Sequence, residues 1–245
     1  MESPDKNSSG FLTKKPDSLR YDFGSVDPDD VGMKIAGMIT PQSRVLDVGC
    51  GTGVISEMIK VHTQADIMGV EPDTERVKKA RERNLTVYEG LLDEDFFNEH
   101  GTFDYIIFSD VLEHLENPAE IVRIAKKGLN SSGAIIVSVP NIAHWFVRTD
   151  LLFGNFNYQD CGIMDATHLR WFTRDTIKSF FKNTGFEIAA FDYTINISLA
   201  DFRRRLPWRW MKTSFSKRIV KQLASISPGL FGCQFVVKAV LPYAK

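Results

Sequence analysis

Cysteine is scarce in this chain: Cys50, Cys161 and Cys233 are the three among 245 residues, and no two stand at C-x-x-C spacing. That distribution argues against a disulfide framework and a thiolate zinc site, and makes a reducing cytoplasm the expected compartment. Long apolar runs are lacking as well. Nowhere do about 18 apolar residues follow one another, and Met1–Asp30 is polar and charged, so neither a spanning helix nor a secretory leader is expected. A surplus of one charge is also missing. The formal net charge of -1 speaks against a protein that coats nucleic acid, which needs excess Lys and Arg. There is no internal repeat, and a hydrophobic content of 43% suits a globular domain.

What is present is a rhythm. Residues 1–20, rich in Ser, Asp, Lys and Pro, read as a mobile leader, and 21–245 as a single domain. Asp27-Pro28-Asp29-Asp30 reads as a helix start, followed by Val31, Ile35, Met38 and Ile39 at helical spacing. Strands are then expected at Val45–Val48, Ile67–Glu71, Leu85–Tyr88, Tyr105–Phe108 and Ala134–Val139. Helices at Val54–Val61, Thr74–Arg83 and Pro118–Leu129 fall between them, which implies a mostly parallel sheet with helices on both faces. After Pro140 the rhythm breaks, and 141–172 mixes aromatics, His and Gly as a substrate-facing insertion would. A capped helix starting at Thr173 and ending at Gly185 follows, then strands at Phe186–Tyr193 and Cys233–Val240.

Asp47-Val48-Gly49-Cys50-Gly51-Thr52-Gly53 ends the first strand and opens directly into a helix, so three glycines stand where the backbone turns sharply and passes close to a ligand. Eighteen residues beyond Gly53, Glu71 ends the second strand, followed by Pro72. An acid there can accept both hydroxyls of a ribose. The dinucleotide fingerprint is G-x-G-x-x-G, aimed at a pyrophosphate, whereas the spacing here is G-x-G-x-G.

This loop resembles the first motif of class I S-adenosylmethionine-dependent methyltransferases, and the resemblance spans roughly Ser43–Asn141. It implies a Rossmann-like, mostly parallel seven-stranded sheet with an acceptor-side insertion, and S-adenosylmethionine as cofactor. In that family the stretch matching Asp47, Gly49, Cys50, Gly51 and Gly53 lies against the methionine part, and the acid matching Glu71 holds the ribose. The loop after the third strand, with Leu91 and Leu92, is where the family contacts adenine. Ser109, Asp110 and Val111, after the fourth strand, match the residues near the methionine amine. The Asn/Asp/Ser-Pro-Pro-Tyr/Phe corner of nucleobase amino-methylases is not there.

Transfer to a hydroxyl needs alignment, exclusion of water, and a base or metal to take the proton. His114, His144 and His168 are the candidates by their titration range, while His62 and His100 fall on peripheral segments. His168 is the first choice of base or orienting residue. Asp110-x-x-Glu113-His114 also resembles the E-x-x-E-H pattern that binds a divalent ion in ubiquinone-biosynthesis O-methyltransferases and small-RNA 2′-O-methyltransferases, with Asp in place of the first Glu. A second His, His144 or His168, would complete the set. Ser138–Trp145 and Asp165–Thr173 resemble stretches of bacterial methyltransferases of glycan and secondary-metabolite pathways, which points to a small-molecule or glycan acceptor.

Charge is concentrated in one place. Between Asp201 and Lys221 eight basic residues face one acid, so this stretch is +7 and the rest of the chain -8. Cations interleaved with Phe202, Trp208, Trp210 and Phe215 suit contact with an anionic membrane at its inner face, or a solvated helix whose apolar side covers the core. Nucleic acid is the less suitable partner. The competing functional readings are an NAD(P)-dependent oxidoreductase on a similar sheet and a cofactor-binding protein without catalysis.

Overall fold

The computed structural model describes residues 17, 19, 22, 27–195 and 213–242. The expected leader, apart from Asp17 and Leu19, and residues 201–212 of the basic stretch lie outside the described residues. Seven strands form one sheet: β1 Arg44–Val48, β2 Asp66–Glu71, β3 Thr86–Glu89, β4 Phe103–Ser109, β5 Leu129–Pro140, β6 Glu187–Thr194 and β7 Gln234–Val240. Their order is β3-β2-β1-β4-β5-β7-β6. The pairs from β3 to β5 are parallel, and β7 runs antiparallel to both β5 and β6.

Alternation along the central strands divides the core between the two faces of the sheet. On β4, Tyr105 and Ile107 join Val31 and Ile35 of α1 (Val31–Ala36) and Ile59 of α2 (Val54–Thr63). Ile106 and Phe108 turn to the opposite face. There they meet Phe96 of α4 (Glu94–His100), Val122 of α5 (Pro118–Lys127), and Ile177 and Phe181 of α7 (Arg174–Asn183). The remaining helices are α3 Thr74–Glu82, α6 Trp145–Leu152, α8 Thr213–Ile226 and the short α9 Pro228–Phe231. Among the described residues, no helix is long and apolar enough to cross a membrane.

Local chemistry explains where the helices near the ligand edge begin. Asp73 caps α3 by accepting from the amides of Glu75 and Arg76 at 3.0 and 3.1 Å. Thr173 and Thr176 form a reciprocal capping box at the start of α7. α6 lies within the segment expected to be irregular, and α4 was not anticipated at all.

Candidate active site

The carboxyl ends of the parallel strands, where ligands of open α/β sheets bind, carry the glycine loop, Glu71 and the segment after β4. All three glycines of the loop have positive φ: 72° at Gly49, 56° at Gly51 and 81° at Gly53. Their surroundings differ. A Cβ at Gly53 would lie 2.4 Å from Leu85 Cδ1, and one at Gly49 would lie 2.7 Å from Val111 Cγ2, whereas one at Gly51 would meet nothing within 4 Å. The outer glycines thus allow close packing, and the middle one presents bare backbone to open space. Cys50 contributes only its backbone there, because its side chain packs back on β2, with Sγ 2.5 Å from where a Gly69 Cβ would stand. Burial pushes that thiol well above its usual range, so it is inert.

Glu71, buried at the tip of β2, accepts the Gly51 amide at 2.9 Å through Oε2 and the Asp73 amide at 3.0 Å through Oε1. Asp47, deeper in the strand, accepts from the Ser56 hydroxyl at 2.5 Å, and burial raises its carboxyl to about 7. Two carboxyl groups behind a loop with one amide already bonded to Glu71 make a poor cradle for a pyrophosphate and a suitable one for a phosphate-free nucleoside. Of the other expected cofactor residues, Pro72 is exposed, Leu91 is 73% exposed, and Leu92, 5% exposed, belongs to the core below α4.

After β4 the chain turns at Asp110, a non-glycine residue with φ of 54°. The turn is held by Ser138, which offers its carbonyl at 3.2 Å and its hydroxyl at 3.0 Å to the Asp110 amide. Ser109 and Ser138 hydroxyls lie 3.2 Å apart. Asp110 Oδ1 accepts from Gln234 Nε2 at 2.9 Å, a partner that sequence reading did not single out. Desolvation inside this site lifts the Asp110 carboxyl to about 6.

Beyond it, the 3-10 turn Leu112–His114 places Glu113 inward, 1% exposed. Among the described residues, neither carboxylate oxygen of Glu113 has a hydrogen-bond partner outside its own residue. Burial, reinforced by Asp110 and Asp165 nearby, drives its proton affinity well above the carboxylate range. The Glu113 carbonyl accepts the amides of Leu169 and Arg170 at 2.7 and 2.9 Å, which stitches the insertion onto the turn. As a result one ligand atom each of Glu113, His114 and His168 lies within 4.8 Å of the others. His168 Nδ1 lies 3.2 Å from the Ile163 carbonyl, and His114 Nδ1 the same distance from the Thr167 carbonyl. An imidazole so held turns its other nitrogen to a metal or a proton acceptor.

The expected set is therefore regrouped. His168 joins Glu113 and His114, and Asp110 stands outside this cluster, engaged with Gln234. His144 does not join it: wholly buried, it precedes α6, packs on Phe146 with ring centroids 4.8 Å apart, and lies 3.7 Å from Cys233 Sγ. His62, bonded to the Met58 carbonyl, and His100, packed on Phe96, are peripheral as expected. The described end of the basic stretch is spoken for in part. Lys217 pairs with Asp27 and Asp29, and Lys221 with Asp29, so these cations clamp α8 to the entry of α1.

Comparison with known proteins agrees with this geometry. A family model described as a methyltransferase domain matches residues 22–190. A ubiquinone biosynthesis O-methyltransferase of Xanthomonas campestris pv. campestris is 29% identical over 199 residues, covering 77% of each chain. One from Psychrobacter cryohalolentis is 34% identical over 116 residues, covering 44% of this chain and 45% of its own. Among solved structures, a SAM-dependent methyltransferase from Archaeoglobus fulgidus superposes with a TM-score of 0.55 at 19% identity, over 84% of this chain and 89% of that one. An S-adenosylmethionine-dependent methyltransferase from Mesorhizobium loti gives 0.53 at 15% identity, over 87% and 99%. The oxidoreductase reading falls away, because the matched family, the G-x-G-x-G loop and the acids behind it all point to one donor, and the chain belongs to the class I S-adenosylmethionine-dependent methyltransferases.

Proposed function

We propose that the protein methylates a hydroxyl oxygen of a small organic acceptor, a sugar hydroxyl included, and that Glu113, His114 and His168 hold a divalent cation beside it. The observation that carries this reading is Glu113. A carboxyl group 1% exposed, with no partner for either oxygen among the described residues, is costly to keep, and a cation held between it and the two imidazoles within 4.8 Å would compensate it. One oxygen and two nitrogen donors suit Mn²⁺, Fe²⁺ or Zn²⁺ better than Mg²⁺, which prefers oxygen throughout. The O-methyltransferase names of the relatives support oxygen as the acceptor atom.

In this reading the glycine loop takes the methionine part of the donor, and Glu71 uses its remaining lone pairs for the ribose hydroxyls. Asp110, aimed by Gln234, receives the amine. S-adenosylmethionine supplies a methyl carbon made electrophilic by its sulfonium, and a bound divalent cation would lower the pKa of an oxygen ligand. Together with Glu113, His168 and His114 would hold that cation beside the acceptor oxygen; only in the metal-free protein would the two imidazoles instead receive its proton. The insertion that carries His168 covers the site and excludes water.

Metal analysis of the protein dialysed against Mn²⁺ or Zn²⁺ tests the assignment, with S-adenosylhomocysteine calorimetry as a control of the folded cofactor site. Stoichiometric metal is expected in the wild type, with affinity weakened roughly 10-fold or more in Glu113→Gln and His168→Ala. Equal metal content in wild type and both variants would remove the cation from this site.

A further inference from the structure

The connection between β6 and β7 carries a contact that the methyl-transfer chemistry leaves unused. Lys217 and Lys221, one helical turn apart on α8, face the chain turn that enters α1. Lys217 Nζ lies 2.7 Å from Asp27 Oδ1 and 3.2 Å from Asp29 Oδ2, and Lys221 Nζ lies 3.2 Å from Asp29 Oδ1. The turn itself is closely bonded. The Asp29 amide donates to the Asp27 carboxylate at 3.0 Å, and the Asp30 amide to the Asp27 carbonyl at 2.8 Å. Asp30 then caps α1 by accepting the Val31 amide at 2.7 Å. A pull on Asp27 and Asp29 is therefore passed on to Asp30.

We propose that Lys217 and Lys221 are positioning residues for the methyl donor: from α8 they latch the Asp27–Asp30 turn against the donor site, and the latch slows release of the bound cofactor. The inference rests on the reading that seats the donor on the glycine loop, and extends it to residues outside that loop. Two contacts tie this part of the chain to the donor site. Asp22, ahead of the turn, accepts from the side chain of Thr52, which stands between Gly51 and Gly53, and pairs with Arg83 at 2.9 Å. After the turn, Gly32 lets α1 sit directly on α2, the helix into which the glycine loop opens; a Cβ there would lie 2.6 Å from Met58 Sδ. A third link is electrostatic. Besides desolvation, the Asp30 charge raises the proton affinity of Asp110, the group proposed for the donor amine. Movement of the turn thus reaches both the start of α2 and the field at Asp110.

α8 is a suitable anchor because the acceptor side holds it. Val220 and Ala224, both buried, pack with Tyr193 and Ile195 at the end of β6 and with Trp145 at the start of α6. The latch therefore joins the insertion to the donor edge through one helix. Its lysine side chains are 33% exposed at Lys217 and 64% at Lys221, so the ion pairs add little to global stability. What they set is where the turn sits, not whether the chain folds.

Release of tritiated S-adenosylmethionine from the whole chain, chased with unlabelled S-adenosylhomocysteine, tests this. In Lys217→Gln/Lys221→Gln release is expected to be roughly three-fold faster or more, with an unfolding midpoint within a few degrees of the wild type. Lys217→Arg/Lys221→Arg, which keeps both charges, should release at the wild-type rate. Asp27→Asn weakens the latch from the other side and can still accept the Asp29 amide, so it too should release faster. Raising the salt concentration should speed release more in the wild type than in the Lys→Gln pair, because screening weakens exposed ion pairs. Wild-type release rates in the Lys→Gln pair and in Asp27→Asn, or release from the Lys→Arg pair as fast as from the Lys→Gln pair, would overturn the proposal. Calorimetry with S-adenosylhomocysteine separates the two levels. Failure of the wild type to bind it would strike the donor-site reading, whereas normal binding with unchanged release from the Lys→Gln pair strikes the latch alone.

Discussion

Glu71 and Gly51 are joined by a 2.9 Å hydrogen bond from the loop amide to the carboxylate, so the tip of β2 and the middle of the glycine loop form one unit. The acid we propose for the ribose is also the group that holds the loop amide of Gly51. A change at Glu71 therefore acts on the cofactor twice, through a lost ligand contact and through a loosened loop.

Replacing Glu71 by Ala is expected to weaken S-adenosylhomocysteine binding by roughly 10-fold or more, the scale of losing hydrogen bonds to a charged group. Calorimetry reads this directly. Affinity within two-fold of the wild type would separate Glu71 from the cofactor.

The glycines should divide between stability and binding. Gly53→Ala meets Leu85 Cδ1 at 2.4 Å and the Ala80 backbone at 3.2 Å besides a strained φ, and should cost about 2–3 kcal/mol in denaturant unfolding. Gly51→Ala has open space and should cost only about 1–2 kcal/mol of conformational strain, yet it places a methyl on the face offered to the cofactor. Comparable unfolding midpoints with a binding defect confined to Gly53→Ala would contradict this division.

Asp47 predicts a pH dependence. Its carboxyl titrates near 7 in the folded chain and near 3.8 when unfolded, so the folded state holds the proton more firmly. Stability from this group is fully present below the unfolded value and declines as pH rises from about 4 to about 7. Asp47→Asn, which can still accept from Ser56, should flatten that part of the Tm-against-pH curve. Parallel curves for the two proteins would show that Asp47 ionises normally.

Gln234→Leu removes the donor to Asp110 and should raise KM for S-adenosylmethionine several-fold with little change in kcat, since the carboxylate loses its orientation rather than the acceptor its base. Gln234→Glu, which puts a second carboxylate opposite Asp110, should be worse. An unchanged KM in both would confine Gln234 to a structural part in β7.

Much of this fold can be read from the sequence. All seven strands lie where short apolar runs predict them, and the α5 and α7 starts follow from Pro118 and Thr173. α4 escapes a periodicity reading because seven residues hold only Phe96 and Phe97, although Asp93 before two acids was a usable cap signal. α6 escapes it because Trp, Phe, Val and Leu surround the helix on all sides. The glycine loop and Glu71 are contiguous motifs, so their geometry is local. The meeting of Glu113 with His168 is not, because it depends on Leu169 and Arg170 bonding to a carbonyl more than fifty residues earlier. Gln234 gave no signal, since nothing in its own neighbourhood marks a partner of Asp110.

β7 is the strand that runs against its neighbours, and its first residue therefore arrives at the ligand edge where the other strands end. β6 has β7 as its pairing neighbour, and Asp110 has Gln234 as its anchor. During synthesis the glycine loop, Glu71 and the Glu113 cluster are all available while residues 234–240 are still unmade. The competence of the donor site thus waits on a late strand that must slot between two others, which ties the first possible turnover to completion of the sheet rather than to the appearance of its motifs.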